Sequence, residues 1–235
     1  MSLKKLLLAM LFVALSAAGM TAQSNWSDWT AVIQRGNDRV ARQDYKTALE
    51  EFRRVPPSAG DNYALALYNI GVCNYELWRT DDAIESYRKA VDARRGDYPK
   101  AWYALGVALE DQKRPAEAKE AYRQAIATSH GDHAMAHYKL GVLLASERDY
   151  EAAATRFREA IARSGNHFPA SHNNLGVMLA RVGRLAEADR EFRIAVKQTH
   201  GTFDEAAHNH ELCRTLLTVA ANTDLASLEL SRIKK

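Results

Sequence analysis

Glycine recurs at a fixed interval along most of this chain, and that interval decides what the chain can fold into. Gly36, Gly71, Gly106, Gly141 and Gly176 are each 35 residues apart. Ala48, Ala83, Ala118, Ala153 and Ala188 keep the same step, as do the rings Phe52, Tyr87, Tyr122, Phe157 and Phe192. A further column of small residues holds Val55, Ala90, Ala125, Ala160 and Ala195. Independent columns sharing one period mean one structural unit written five times. Such a chain stacks its units into an array instead of winding around a single central core.

Each unit reads as two helices. Trp102, Leu105, Gly106 and Leu109 fall at i, i+3, i+4 and i+7, one face of a helix. After a break at Lys113-Arg114-Pro115, Ala118, Tyr122, Ala125 and Ile126 make a second stripe. Pro115 suits the first turn of that second helix, where a missing N–H costs least. Glycine inside a helix costs about 1 kcal/mol against alanine, so the glycine column must be offset by close packing. The expectation is that the partner helix passes where a side chain would stand, with the ring column filling the gaps beside it.

The junctions between units repeat as well. Gly96, Gly131, Asn166 and Gly201 stand where a left-handed residue would end the second helix. Pro99 and Pro169 suit the first turn of the next helix. Just before that turn stands a ring in every copy, Tyr63, Tyr98, His133, Phe168 and Phe203, placed to staple one unit to its neighbour.

These residues resemble the tetratricopeptide repeat family. The Trp/Leu-x-x-Leu-Gly run, the alanine twelve residues after the glycine, the ring four later and the small residue three after that follow its pattern. The resemblance covers about 29–203 as copies 29–63, 64–98, 99–133, 134–168 and 169–203. It implies an all-α, right-handed superhelical solenoid of helix-turn-helix repeats. Departures are a period of 35 where 34 is usual, Arg35 and Arg39 at apolar positions of the first copy, and a tryptophan column that keeps only Trp102. Val32, Leu67, His137 and His172 fill the rest of that column. After 203 the pattern decays, with Glu211 in place of a sixth glycine. Ala206, Cys213, Leu216, Leu217 and Ala220 still form an apolar stripe, so 204–221 is expected to cap the array and 222–235 to form a tail.

The resemblance also implies a concave groove lined by the first helices, where members commonly hold an extended peptide or helix. Helix position maps its lining to Ile33, Asn37, Tyr68, Val72, Tyr75, Lys100, Tyr103, Val107, Glu110, Asp111, Tyr138, Val142, Ala145, Val177 and Arg181. Val72, Val107, Val142 and Val177 share one column, and Tyr68, Tyr103 and Tyr138 another. Tyrosine offers a large apolar face with a polar tip and is frequent at binding surfaces. The alternative is that these rings are half-buried packing residues. Members that clamp a C-terminal carboxylate use asparagine where the four valines stand, and here only Asn37 matches. An internal segment or a partner helix is therefore the expected guest.

Other chemistry is sparse. His130, His133 and His137 have helical spacing and are the candidate metal ligands, but His133 sits in the stapling column and His137 in the tryptophan column. A pH-responsive module on this histidine edge is an alternative reading. Cys73 and Cys213 lie four repeats apart and are expected to be separate, buried apolar residues. No phosphate-binding glycine loop, nucleophile triad or HExxH run occurs. The expectation is a non-enzymatic protein with no cofactor. Lys and Arg number 32 against 29 Asp and Glu, too balanced for a nucleic-acid binder, which needs a basic stripe.

The first residues read as an address label. Lys4-Lys5, an apolar run from Leu6 to about Ala18 and small or polar residues to Gln23 follow a secretory signal layout, assigned to 1–22, with 23–28 as a lead-in. The run is shorter than the roughly 20 residues a membrane span needs; an uncleaved membrane anchor is the rival reading. The chain therefore reads as a periplasmic or secreted adaptor for other proteins. A self-assembling scaffold is the second alternative.

Overall fold

The computed structural model describes residues 29–218. The expected signal segment, the lead-in and the tail lie outside the described residues, as does the last part of the expected cap. Every described regular element is helical, and no strand occurs among the described residues. The order is α1 (29–41), α2 (Tyr45–Arg53), a 3-10 turn (Pro57–Ala59), α3 (Asp61–Glu76), α4 (Thr80–Ala93), α5 (Pro99–Asp111), α6 (Pro115–Thr128), α7 (Ala134–Ser146), α8 (Tyr150–Arg163), α9 (Pro169–Arg181), α10 (Leu185–Gln198) and α11 (Asp204–Thr218). Two compact units divide between Gln112 and Lys113.

In the first unit α2 packs on α3, α3 on α4 and α4 on α5. In the second unit each helix from α6 to α11 packs on the next. These are successive helical hairpins, as the two stripes per copy require.

The glycine column is explained by rings, not by a crossing backbone. A Cβ on Gly36 would lie 2.4 Å from Phe52, on Gly71 2.5 Å from Tyr87, on Gly141 2.8 Å from Phe157 and on Gly176 2.6 Å from Phe192. Each distance is below any normal carbon contact, so the ring occupies the space the glycine leaves. Phe52, Phe157 and Phe192 are fully buried, and Tyr87 is 3% exposed. The alanines of the second helices are buried beside them, which completes a small-to-large fit within each hairpin.

Left-handed residues close the helices at two places in each copy. Gly96, Gly131, Asn166 and Gly201 have positive φ as expected, but so do Arg95, His130, Gly165 and His200 before them. The preceding residue ends the helix, and the N–H of the second reaches back across the last turn, as in Gly96 to Val91 O at 2.9 Å and Asn166 to Ile161 O at 2.9 Å. The within-copy turns use the same device at Gln43, Trp78, Lys113, Arg148 and Gly183, only one of which is glycine. Trp78 is 92% exposed there, and nothing in the packing explains a tryptophan at that position. Pro99, Pro115 and Pro169 each open a helix, as their fixed φ favours.

The stapling rings are the residues that cap the next helix. Tyr98, His133 and Phe168 precede α5, α7 and α9. Tyr98 lies 5.6 Å from the Tyr68 ring and Phe168 5.1 Å from the Tyr138 ring, so each ties a first helix to the copy that follows it.

The ring-to-glycine fit predicts strong coupling between its two members. Gly176→Ala should cost about 1–3 kcal/mol by overpacking against Phe192. In a Phe192→Leu background the same substitution should cost at least 1 kcal/mol less, measured by urea unfolding of the four-variant cycle. Additive costs would show that the ring does not set the glycine requirement.

Candidate functional site

The candidate lining residues separate into two sets. In the first unit α3 and α5 carry Tyr68, Val72, Tyr75, Tyr103, Val107 and Glu110 half-buried, with Lys100 and Asp111 exposed. Asn37 on α1 is exposed, whereas Ile33 is 4% exposed and belongs to the core around Phe52. Side chains from consecutive copies meet on this face. Asn69 Nδ2 donates to Asn37 Oδ1 at 3.0 Å. The Tyr75 hydroxyl donates to Asp111 Oδ2, which joins α3 to α5 directly. The face therefore offers apolar surface at Val72, Val107 and the rings, between polar side chains already anchored to one another.

The second unit behaves differently. Val142 and Arg181 are half-buried, but Tyr138 is 1%, Val177 1% and Ala145 6% exposed. Tyr138 packs against Phe157 with ring centroids 5.8 Å apart and stacks on Phe168. The expected tyrosine ladder at a binding surface is corrected here, because Tyr138 is part of the hydrophobic core. Tyr68 makes the equivalent contacts, 5.8 Å to Tyr87 and 5.6 Å to Tyr98, yet keeps part of its ring accessible. Burial raises its hydroxyl pKa, and raises that of Tyr98 likewise. At Tyr68 and Tyr138 the column thus serves first as packing between copies.

A set of amides escaped the sequence reading. Asn174 Nδ2 donates to the Tyr138 hydroxyl at 3.3 Å, Asn173 Nδ2 to Asn174 Oδ1 at 3.3 Å, and Asn209 Nδ2 to Asn173 Oδ1 at 2.9 Å. All three asparagines are fully buried. Asn69, Asn174 and Asn209 share one column of the 35-residue period, which is the signal that could have found them.

The histidines have structural work. Trp102 Nε1 donates to Gly96 O at 2.8 Å, and His137 Nε2 stands 3.2 Å from Gly131 O, the same relation six residues back. His172 Nε2 faces Asn166 O at 3.5 Å in the next copy, and its Nδ1 lies 2.7 Å from Glu191 Oε2. Histidine thus keeps the ring N–H that tryptophan supplies to the junction carbonyl. His133 Nδ1 accepts the Ala136 N–H as a helix cap. With those nitrogens engaged, His130, His133 and His137 do not converge, and among the described residues no three potential ligands group around a common point. Cys73 and Cys213 are free and buried. Burial first, with Glu76 and Asp189 respectively adding to it, pushes each thiol up to about 11, far from a reactive thiolate.

His137 and His133 have lowered pKa values, in each case mainly through burial. Around His137, Arg156 and Arg163 push the same way, while Glu159 and the bond to Gly131 O oppose it. The unfolded state therefore takes up protons that the folded state refuses, so this contribution is present at neutral pH. It is lost as pH falls through the ordinary histidine range of about 6.5. His137→Gln should make the stability less dependent on pH between 7 and 5 than in the wild type. Urea melts across that range measure the two slopes, and equal slopes would contradict this assignment.

The family model described as tetratricopeptide repeat matches residues 33–98, 79–133, 103–167 and 138–201. No curated protein matches the chain. Among solved structures, MamA is similar at 24% identity and a TM-score of 0.62, over 73% of this chain and 92% of that one. PilW, described as a widely conserved type IV pilus biogenesis factor, is similar at 20% identity and a TM-score of 0.64, over 81% of this chain and 86% of its own. YrrB, described as having an unusual peptide-binding site, is similar at 19% identity and a TM-score of 0.58, over 80% and 91%. Likeness at these identities speaks for the fold. None of the described helices is long and apolar enough to cross a membrane.

Proposed function

The chain belongs to the tetratricopeptide repeat family, and we propose from this premise that it is an exported, non-enzymatic adaptor that holds a segment of another protein. Proteins of this family are generally protein-interaction scaffolds and typically not enzymes. The observation that carries the reading is the half-open stripe of the first unit. Tyr68, Val72, Tyr75, Tyr103 and Val107 keep apolar surface accessible on α3 and α5, with Lys100 and Asp111 exposed on the same helices. A guest helix or extended segment with apolar side chains would bury that surface, while charges of both signs fix its direction. YrrB, which shares the fold, is described as binding a peptide, which supports this use of the scaffold. The expected signal segment at 1–22 supports an envelope or secreted location.

The mechanism is differential burial. The open half of Val72 and of Val107 is covered only when a guest is present, whereas the Tyr68 ring already packs on Tyr87 and Tyr98. Substituting valine therefore tests binding with less damage to the fold than substituting tyrosine. Val72→Arg with Val107→Arg should remove the partner that residues 23–235 capture from cell-envelope extract, reducing its recovery about tenfold or more, while the thermal melt stays within a few degrees. Unchanged recovery with both arginines in place would show that this stripe is not the binding surface.

A further inference from the structure

The half-open stripe of the first unit ends in negative charge. α3 and α5 run the same way, because Tyr68 in the middle of α3 meets Tyr98 just before α5, and Tyr75 further along α3 bonds Asp111 at the end of α5. Their last turns therefore lie at one end of the stripe. That end holds Glu76, Glu110 and Asp111, and neither last turn has a basic residue. Glu76 and Asp111 are exposed and Glu110 is half-buried. Burial raises the Tyr87 hydroxyl pKa, and Tyr68, Tyr75 and Glu76 add to it, so Glu76 stands near the rings of the stripe. The nearest cations in sequence, Arg79 and Lys113, lie past the helix ends in the turns. A helix C-terminus already carries partial negative charge, so acids there are poorly placed for the fold. The second unit avoids this, since the same columns hold Ala145, Ser146, Ala180 and Arg181.

We propose that the guest of this stripe is a protein segment in which apolar side chains adjoin lysine or arginine, with the basic side chains at the Glu76–Asp111 end. This rests on the adaptor reading above and adds the guest's chemistry to it. Val72 and Val107 stand four residues before Glu76 and Asp111, one helical turn or about 6 Å along the axis. An extended guest covers that distance in two residues and a helical guest in four. The guest's motif is therefore an apolar residue with Lys or Arg two places away if extended, or four if helical. Lys100, exposed on the first turn of α5, stands at the other end and repels the opposite orientation. The chain as a whole has a net charge of +3, so long-range attraction does not draw in a basic segment, and the preference arises at this end.

Fluorescence anisotropy with residues 23–235 tests this with defined peptides. Two labelled, end-blocked peptides share a body of leucine, alanine and serine; one ends in lysines and the other in glutamates. The lysine peptide should bind about tenfold more tightly, and added salt should shrink the difference. Glu76→Gln with Glu110→Gln and Asp111→Asn should bring the two affinities within about twofold while the thermal melt is retained, because the asparagine still accepts the Tyr75 hydroxyl. Val72→Ser with Val107→Ser should weaken both peptides. Equal affinities in the unaltered chain, tighter binding of the glutamate peptide, or binding of neither would overturn the proposal. A lysine preference that survives the three amide substitutions would overturn it by assigning the contact to another surface. If the peptides bind equally and both lose affinity in the valine variant, the adaptor reading stands and the guest's charge alone is refuted. If the valine variant binds both peptides as the unaltered chain does, the stripe itself is refuted.

Discussion

One contact recurs through this molecule and everything else is arranged around it: an aromatic ring on the second helix of a hairpin fills the space where a glycine on the first has no side chain. Gly36 with Phe52, Gly71 with Tyr87, Gly141 with Phe157 and Gly176 with Phe192 repeat the same fit. The close approach offsets the helix-propensity cost of glycine, and it fixes where each first helix points its remaining faces. One face receives the ring. Another meets the preceding copy through buried alanines such as Ala66 and Ala101. The third carries the valine and tyrosine columns. A surface for a guest is what remains once the first two faces are used.

That residual surface is not uniform. On α3 and α5 it is half-open, crossed by the Asn69–Asn37 and Tyr75–Asp111 bonds. On α9 it is closed, and the buried amides Asn173, Asn174 and Asn209 run through it to the Tyr138 hydroxyl. Buried amides are tolerated only when their donors and acceptors are met, so a face built this way is made for a fixed neighbour. An apolar face with rings and valines suits an exchangeable one. The two units thus suit two kinds of contact with one architecture.

Much of this was legible from residues alone, because a period shared by several columns encodes contacts between fixed positions. The glycine, alanine and ring columns named the hairpin core, and the rings at Tyr98, His133 and Phe168 named the junctions. What the sequence did not show was difference between copies. A repeat pattern assigns Val177 the exposure of Val72 and Tyr138 that of Tyr103, since nothing in their columns separates them; burial depends on what lies beyond the copy. The left-handed turn residues Gln43, Trp78 and Arg148 were also hidden, because a two-residue reversal can force positive φ on a side chain that gives no glycine signal. The histidines carried two readings, ligand spacing and packing columns. Their columns pointed to packing, and His137 faces the junction carbonyl Gly131 O as Trp102 faces Gly96 O.

An adaptor role requires that the half-open face of α3 and α5 meet another protein in the cell envelope. Site-specific photocrosslinking measures this most directly, with a photoreactive side chain at Val107 and, for comparison, at exposed Lys89 on α4. A discrete crosslinked polypeptide is expected from position 107 and none from 89. Crosslinking that is equal at the two positions, or found only from 89, would contradict it.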